Sequence, residues 1–191
     1  MEDKFGREED KVIKNLIFKS VEVSPADEIF FNAEEYFVTN SLQTTGAGQR
    51  IKIERFHHND IVSAKLDKTG DAVWIRNINK AEVNQGDGAY ASYSSYIKDG
   101  KTYFFICTAA ENPQLINNER LIFKQGLSRN RNVFLISLDK NGKMEYEKII
   151  DDQEARLPLM VSKPLKNVSE HNMLFYAKRG SKKQLVKVAF R

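Results

Sequence analysis

Apolar side chains in this chain are grouped in short runs that are rich in aromatic and β-branched residues and are separated by turn-forming residues. Runs of this kind are typical of β-strands. The segment Arg50–Phe56 shows the two-residue alternation of a strand with unlike faces. No amphipathic pattern long enough for a stable helix follows residue 13, so we predict an all-β fold. The predicted strands are Leu16–Val23, Glu28–Asn32, Glu35–Thr39, Arg50–Phe56, Asp60–Leu66, Ala72–Ile78, Ser92–Ile97, Lys101–Thr108, Val133–Leu138, Lys143–Ile150, Pro158–Ser162, Asn172–Lys178 and Gln184–Phe190.

One segment of the chain occurs twice. Asp60–Ile78 and Asn132–Ile150 share Leu, Asp, Lys, Gly and Ile at equivalent positions, with an offset of 72 residues from Leu66 to Leu138. Self-similarity at a fixed period is the sequence signature of repeat architectures. We therefore expect the chain to be built from copies of one supersecondary unit.

Each copy contains a turn motif with Asp first and Gly last, Asp67–Gly70 in one and Asp139–Gly142 in the other. Asp accepts backbone N–H bonds at the start of a type I turn, and Gly adopts the positive φ that ends a bulged hairpin. The motif therefore predicts hairpins and not calcium loops, which would need alternating oxygen ligands. Trp74 and Tyr146 occupy equivalent places in the two copies, which predicts a recurring aromatic slot between stacked sheets.

The repeat organises the chain into three units, roughly 28–80, 90–151 and 157–190, within one β-repeat domain that spans residues 14–191. The third unit stops before its last strand, and we predict that Leu16–Val23 supplies it and closes the sheet through both termini. Ala109–Arg131 forms a long insertion, of the length that often carries function. Residues 1–13 are polar and are predicted to be a flexible or short helical N-terminus.

The first copy, DIVSAKLDKTGDAVWIRNI, resembles a bacterial β-propeller repeat that reads roughly D-x-F-V-A-K-L-D-x-x-G-x-x-x-W. Gly86–Ala91 and Ser94–Cys107 are similar to the continuation of that repeat, and the likeness is closer over 59–108 than over 132–190. The resemblance implies a propeller-like fold made of antiparallel β-meander blades. It also implies an uncharacterised type of bacterial cell-envelope protein, in the periplasm or at the cell surface, and it implies no activity.

The chain departs from that pattern in two ways. Four-stranded blades commonly run about 40–50 residues, which is shorter than the 72-residue offset. Propellers also have about four to eight blades, which is more than the three predicted units. We therefore expect a fragment of a longer propeller, an open stack of sheets or one part of an oligomeric ring.

Composition and charge narrow the function classes. The net charge of +4 comes from 30 basic and 26 acidic residues that are mixed along the chain, which favours solubility over nucleic-acid binding. The sequence shows no apolar stretch of membrane-spanning length and no signal peptide, so a cytoplasmic location is the alternative to the cell envelope. The single cysteine, Cys107, excludes an internal disulfide and is predicted to be a buried thiol.

Residues with metal-binding or cofactor-binding chemistry form no recognised motif. His57 and His58 are adjacent on a predicted strand and would point to opposite faces, so we predict no metal site there. Thr44–Gly48 is glycine-rich but lacks the Gly-Lys-Ser/Thr of a phosphate-binding loop, and we predict a hairpin tip. We predict no cofactor.

Two groups of side chains are candidates for binding. Three tyrosines recur at every third residue and could stack on sugar rings or on a peptide partner, and three residues of the insertion combine basic and aromatic chemistry. These candidates are Tyr90, Tyr93, Tyr96, Arg120, Phe123 and Arg129.

We predict a non-catalytic binding or scaffold module that recognises a protein or a glycan through its loops, with self-association as a further option. The alternative is a glycan-active enzyme, or a fragment of one, in which pairs such as Glu34–Glu35 or Asp151–Asp152 act as channel carboxylates. A weaker third reading is association with nucleic acid through the basic loops.

Overall fold

The computed structural model describes residues 15–85, 89–108, 113–117, 119–123, 132–151, 157–167 and 171–190. Every regular element in these ranges is a β-strand, which confirms the predicted all-β class. The predicted N-terminal segment 1–13 and the candidate Arg129 lie outside the described residues. The strands are β1 (Leu16–Val23), β2 (Ile29–Thr44), β3 (Arg50–Leu66), β4 (Ala72–Asn79), β5 (Glu82–Asn84), β6 (Tyr93–Lys98), β7 (Lys101–Thr108), β8 (Gln114–Ile116), β9 (Arg120–Ile122), β10 (Asn132–Leu138), β11 (Met144–Ile150), β12 (Leu165–Asn167), β13 (Asn172–Arg179) and β14 (Lys182–Ala189).

The strands form three sheets, and none of them closes on itself within the described ranges. The first sheet has the order β1-β2-β3-β4-β9-β8, with β5 paired to β3; the second has the order β6-β7-β10-β11, and the third β12-β13-β14. Strands β1 to β4, β6-β7-β10-β11 and β12 to β14 are antiparallel meanders. The main strands of the three predicted units, 28–80, 90–151 and 157–190, lie in three different sheets, but β8 and β9 of the second unit join the first sheet.

The prediction that Leu16–Val23 completes the last unit is wrong. This strand is β1, and it pairs antiparallel with β2 from Leu16↔Glu35 to Val23↔Ile29. The connection between the two strands is short, and the backbone N–H of Ser24 donates to the carbonyl of Glu28 across it. Closing the short loop of a local hairpin costs less conformational entropy than bringing the two ends of the chain together, so the local pairing is favoured.

The three sheets stack as layers with the second sheet in the middle. One hydrophobic core lies between the first and second sheets, and another lies between the second and third. On β7, Phe104 and Ile106 belong to the first core, whereas Phe105 and Cys107 belong to the second. A strand that is buried on both faces needs an unbroken apolar run, which explains the aromatic segment here and confirms the buried Cys107 thiol.

The insertion 109–131 lies between β7 and β10 of the second sheet, but its described part belongs to the first sheet. Its described part forms a hairpin, β8–β9, and β9 pairs in parallel with the edge strand β4 of the first sheet. Leu121 is fully buried, and the ring of Phe123 makes an edge contact with Phe134 of the second sheet at 5.4 Å between centroids. The described part of the insertion thus extends the first sheet and helps to cover the first core.

The two repeated turns have the predicted geometry. Asp67 Oδ1 accepts the backbone N–H groups of Thr69 and Asp71 at 2.9 and 3.0 Å. In the second copy Asp139 Oδ1 accepts the equivalent two N–H groups, both at 2.8 Å. The closing glycines have φ values of 91° and 76°, in the left-handed region that favours glycine.

The predicted recurrence of the aromatic slot is wrong. Trp74 is 5% exposed and lies between the first two sheets, whereas Tyr146 is 41% exposed. A register shift next to Leu66 pairs Trp74 with Lys65, while in the second copy Tyr146 pairs with Ile136 without a shift. Because a one-residue shift turns a side chain to the opposite face of its strand, the two aromatic residues point in opposite directions within their sheets.

Strands β2 and β3 extend well beyond the other strands of the first sheet. Four short strands were predicted in this region, but Ile29–Thr44 and Arg50–Leu66 are continuous, apart from one bulge next to Glu34. The pairs from Thr39↔Arg55 to Thr44↔Arg50 have no third strand beside them in the described structure. At about 3.4 Å per residue, this two-stranded arm, residues 39–55, projects by roughly 20 Å.

Candidate functional site

The strongest concentration of unusual chemistry is a buried cluster of charged and polar residues between the first sheet and the connection to the second. Glu34 lies on β2, on the same face of the strand as Phe30 and Asn32. Because Phe30 belongs to the first core, the Glu34 side chain faces the second sheet. His58 comes from the neighbouring strand β3, and Lys80 follows the end of β4. Three successive strands of the first sheet therefore bring one acidic and two basic side chains to the same buried place.

The carboxylate of Glu34 is held by four side chains. Its Oε1 accepts from Lys80 Nζ at 2.9 Å, and its Oε2 accepts from Ser92 Oγ at 2.6 Å and from His58 Nδ1 at 3.2 Å. Lys19 Nζ, which is partly exposed, lies 3.4 Å from Oε2. The ammonium of Lys80 also donates to the carbonyl of His58 at 2.7 Å. The Glu34 and Lys80 side chains are both completely buried.

The environment of Glu34 holds its proton affinity very low. Burial alone would raise the pKa of this carboxyl, but the hydrogen bond from His58, the charge of Lys80 and the hydrogen bond from Ser92 lower the pKa to about 2. Glu34 is therefore an anion at neutral pH, and since a carboxylate only accepts, Nδ1 of His58 carries the hydrogen. A general base needs a pKa near the working pH. The cluster is therefore better suited to holding charge than to transferring protons.

Ser92 takes an unusual backbone conformation to join the cluster. Its φ is 65°, in the left-handed region, and the residue comes directly before β6. A non-glycine residue in this region costs on the order of 1–3 kcal/mol unless its surroundings hold it there. The hydrogen bond to Glu34 is such a restraint, so the cluster fixes where the second sheet starts relative to the first.

A neutral hydrogen-bonded chain lies next to the charged cluster and crosses the same interface. Ser63 Oγ donates to Asn32 Oδ1 at 2.7 Å, and Asn32 Nδ2 donates to Ser20 Oγ at 3.0 Å. Ser20 Oγ lies 3.4 Å from Ser95 Oγ on the second sheet. Polar groups buried between two sheets are tolerated because they satisfy one another.

The sequence indicated only half of the charged cluster. In the sequence Glu34 is one of two adjacent carboxylates and His58 is one of two adjacent histidines, but nothing in their spacing joins them. His57 points the other way, as predicted: its ring stacks on Phe37, and its Nε2 lies 2.8 Å from the Thr39 hydroxyl. Lys80 was missed altogether. The available signal is an acidic residue on the same strand face as Phe30, since a buried carboxylate needs a cation beside it.

A second acidic group lies on the opposite face of the first sheet. Glu35 Oε2 accepts from Asn59 Nδ2 at 3.0 Å. Burial raises the pKa of Asp60, a hydrogen bond from Asn79 lowers it, and the Glu35 carboxylate raises it again. Asn79 Oδ1 also accepts from Arg120 Nε, which anchors the insertion to this end of the sheet.

The structure separates the six predicted binding residues. Tyr93 and Tyr96 are buried in the first and second cores respectively, and Tyr96 Oη lies 3.0 Å from His171 Nδ1. Tyr90 is partly exposed and donates to the carbonyl of Lys178 at 3.2 Å. Phe123 is a core residue, Arg120 is partly buried on β9, and Arg129 lies outside the described ranges. A binding role for these residues remains a prediction.

The described residues contain no group of three or more His, Cys, Asp or Glu that could hold a metal ion. Within the same ranges, no helix has the length and apolarity needed to cross a membrane. Comparison of the chain with protein-family models, with curated proteins and with solved structures gave no match.

Proposed function

We propose that this chain is a non-catalytic binding and scaffold module, built from blade-like sheets in a propeller-like arrangement, that recognises a protein through one end of the stack. The observation that carries the proposal is the arm of residues 39–55, which projects from the first sheet with both strand edges unpaired in the described structure. An isolated two-stranded ribbon is only marginally stable in water. Extended segments of a partner can pair with such edges through their backbone.

The elaborated connections lie at one end of the stack. At the opposite end of the stack lie the turns that join the first strand of a sheet to the second, and the third strand to the fourth. There β4 of the first sheet meets the β10–β11 turn of the second sheet: Trp74 Nε1 donates to the carbonyl of Lys140 at 3.2 Å, and Arg76 Nε donates to that of Gly142 at 2.5 Å. The sheets therefore stack in the same orientation. The arm, the insertion and the β13–β14 turn are all connections between second and third strands, so they share the other end. Recognition usually sits on such loops of a rigid scaffold.

Several features favour a protein over a glycan as the partner. Sugar recognition would use exposed aromatic rings, but Tyr93 and Tyr96 are buried. The arm instead presents isolated aliphatic side chains, Leu42 and Ile51, among polar and charged ones. This mixture suits backbone pairing with contacts to alternate side chains of an extended peptide.

The catalytic alternative is a glycan-active enzyme with two carboxylates facing each other across a channel. Glu34 is buried, bound by Lys80, Ser92 and His58, and held at a pKa of about 2. A glycosidase acid needs a raised pKa and access to the sugar. This contrast supports the non-catalytic proposal. The resemblance of Asp60–Ile78 to envelope repeats supports a location in the bacterial periplasm or at the cell surface.

The proposal is tested with a phage-displayed random peptide library and an arm-deleted variant. Val38 and Phe56 are directly paired, so residues 39–55 can be replaced by Asn-Gly, which favours a two-residue hairpin turn. We expect selection on the full chain to yield extended peptides that bind it and do not bind the arm-deleted variant. Peptides that bind both proteins equally would overturn the proposal, as would arm-dependent binding confined to a glycan array. Circular dichroism and the unfolding midpoint of the variant control for its fold.

A further inference from the structure

The face of the first sheet that is turned away from the second sheet, here named the outer face of the first sheet, is apolar; its side chains on β1 and β4 are exposed, whereas the small Ala33 and Ala64 between them are buried. Val23, Val21 and Phe18 lie opposite Ile29, Phe31 and Ala33 in the β1–β2 ladder, on the face opposite Glu34. These three side chains are 61–64% exposed, and Ile75 on β4 is 55% exposed. An antiparallel sheet with one wet face normally carries polar residues there. Contiguous exposed apolar surface of this kind marks an interaction site.

The internal repeat identifies what kind of surface this is. At the 72-residue offset, Phe134, Ile136 and Leu138 of the second sheet correspond to residues 62, 64 and 66 of the first. The three residues of the second sheet are fully buried against the first sheet. Their counterparts, Val62, Ala64 and Leu66, are also apolar but lie on the outer face. The first sheet therefore presents the surface that the second uses to receive a preceding sheet.

The third sheet presents the opposite half of the same contact. Its face away from the second sheet, the outer face of the third sheet, carries Leu174 and Tyr176 on β13, which alternate with the core residues Met173 and Phe175. Leu185 lies opposite Tyr176 and is 67% exposed. If a second copy placed its third sheet on the first sheet of this chain, the order of the sheets and the orientation of their strands would be the same as in the two sheet contacts within the chain.

Charge complements this stacking at one end of the sheets. Glu35 and Asp60 continue the outer face of the first sheet toward the arm. Lys178 and Lys183 are directly paired on the outer face of the third sheet, next to the β13–β14 turn. Both groups lie at the end of the stack that carries the connections between second and third strands. In a head-to-tail contact of unchanged polarity, the lysines therefore fall near the carboxylates, which favours this partner.

We propose that the outer face of the first sheet binds the outer face of the third sheet in a second copy of this chain. Such a contact is heterologous, so it either closes into a ring or grows as an open chain. Two copies contribute six sheets, which lies within the range of about four to eight blades in closed propellers. The assembly is a dimer with two equivalent contacts. The proposal rests on the stacking of the sheets and does not require the arm to bind a partner.

Sedimentation velocity over a range of protein concentrations tests the proposal with one substitution on each face, Ile75→Lys and Leu185→Lys. Leu42→Lys is the matched control, because Leu42 is 71% exposed but lies on the arm. We expect a discrete dimer for the wild type and for the control. We expect at least about tenfold weaker association for each face variant, since a lysine would be buried at the contact.

A mixture of the two face variants distinguishes this contact from others. Each variant retains one intact face, so the mixture can form one wild-type contact, and we expect mixed dimers that neither variant forms alone. If the first sheets of two copies packed on each other, Leu185→Lys would have no effect and mixing would rescue nothing. That result, a monomer at all concentrations, or open chains that lengthen with concentration would overturn the proposal. None of these outcomes depends on peptide binding by the arm.

Discussion

Replacement of Glu34 by glutamine removes the charge at the centre of the buried cluster while changing the shape of the side chain very little. Among the described residues, the completely buried Lys80 ammonium then loses the carboxylate with which it forms an ion pair. Removing one member of a buried ion pair is strongly destabilising because the remaining charge has no compensation. The variant therefore measures how much the cluster contributes to the attachment of the first sheet to the second.

The magnitude follows from the pKa of Glu34. The cluster lowers this pKa from 4.5 to about 2, and each unit of pKa corresponds to about 1.4 kcal/mol. The charged form is therefore stabilised by roughly 3 kcal/mol in the folded state. Measured losses for broken buried ion pairs, about 3–5 kcal/mol, agree with this value. We expect Glu34→Gln to lower the free energy of unfolding by about 3 kcal/mol at pH 7.

The effect must depend on pH with a definite sign. A carboxyl whose folded pKa lies below its unfolded pKa contributes stability above the unfolded pKa, and this contribution is lost as the pH falls through the folded pKa. For Glu34 that window runs from about 4.5 down to about 2. The difference between wild type and Glu34→Gln should therefore be largest above pH 5 and should shrink steadily at lower pH.

Urea unfolding, followed by the fluorescence of the single tryptophan, Trp74, measures both effects. Glu145→Gln is the matched control: Glu145 Oε1 accepts from Lys143 Nζ at 2.7 Å, but the pair is exposed, so we expect no measurable loss. A loss below about 1 kcal/mol for Glu34→Gln at pH 7 would show that the buried ion pair does not hold the first sheet to the second. A loss of equal size at pH 7 and pH 3 would show that the glutamate charge is not the cause.

Three further predictions concern single positions. Gly142→Ala should destabilise the protein by about 2 kcal/mol in thermal unfolding and shift the Trp74 emission, because a Cβ would lie 2.7 Å from that ring. Gly70→Ala is the control: its Cβ would meet no atom within 4 Å, so it should cost only about 1 kcal/mol of backbone strain. Tyr93→Phe should unfold at an equal or higher urea concentration, because the buried Tyr93 hydroxyl has no hydrogen-bond partner among the described residues; a loss above about 1 kcal/mol would contradict this. Cys107 is completely buried, so a thiol reagent should modify it only in denaturant, and rapid reaction of the native protein would count against the second core.

The sequence predicted the repeated hairpins well because their cause is local. Asp67 and Gly70 determine the turn by side-chain acceptance and positive φ, and Asp139 and Gly142 do the same in the second copy. Short-range chemistry of this kind is visible in the sequence. The repeat count predicts the wrong partner for Leu16–Val23, because it takes no account of the short connection that favours pairing with the next strand along the chain.

The position of Trp74 could not be predicted, since a single bulge beside Leu66 decides which face the ring occupies. Neither could the charged cluster, because Glu34, Lys80 and Ser92 are far apart in sequence and meet only when the sheets stack. The alternation of apolar residues was informative about strands but not about which faces remain uncovered. That information required the register of β1 on β2, which places Val21 opposite Phe31.

A photo-crosslinking amino acid at Val21 tests whether the outer face of the first sheet binds the third sheet of a second copy. A mixture of isotope-labelled and unlabelled protein lets mass spectrometry identify links between copies. If this contact forms, we expect intermolecular links to peptides of Asn172–Ala189. Links to β1–β4 of the second copy, or no intermolecular link under conditions where the wild type associates, would contradict it.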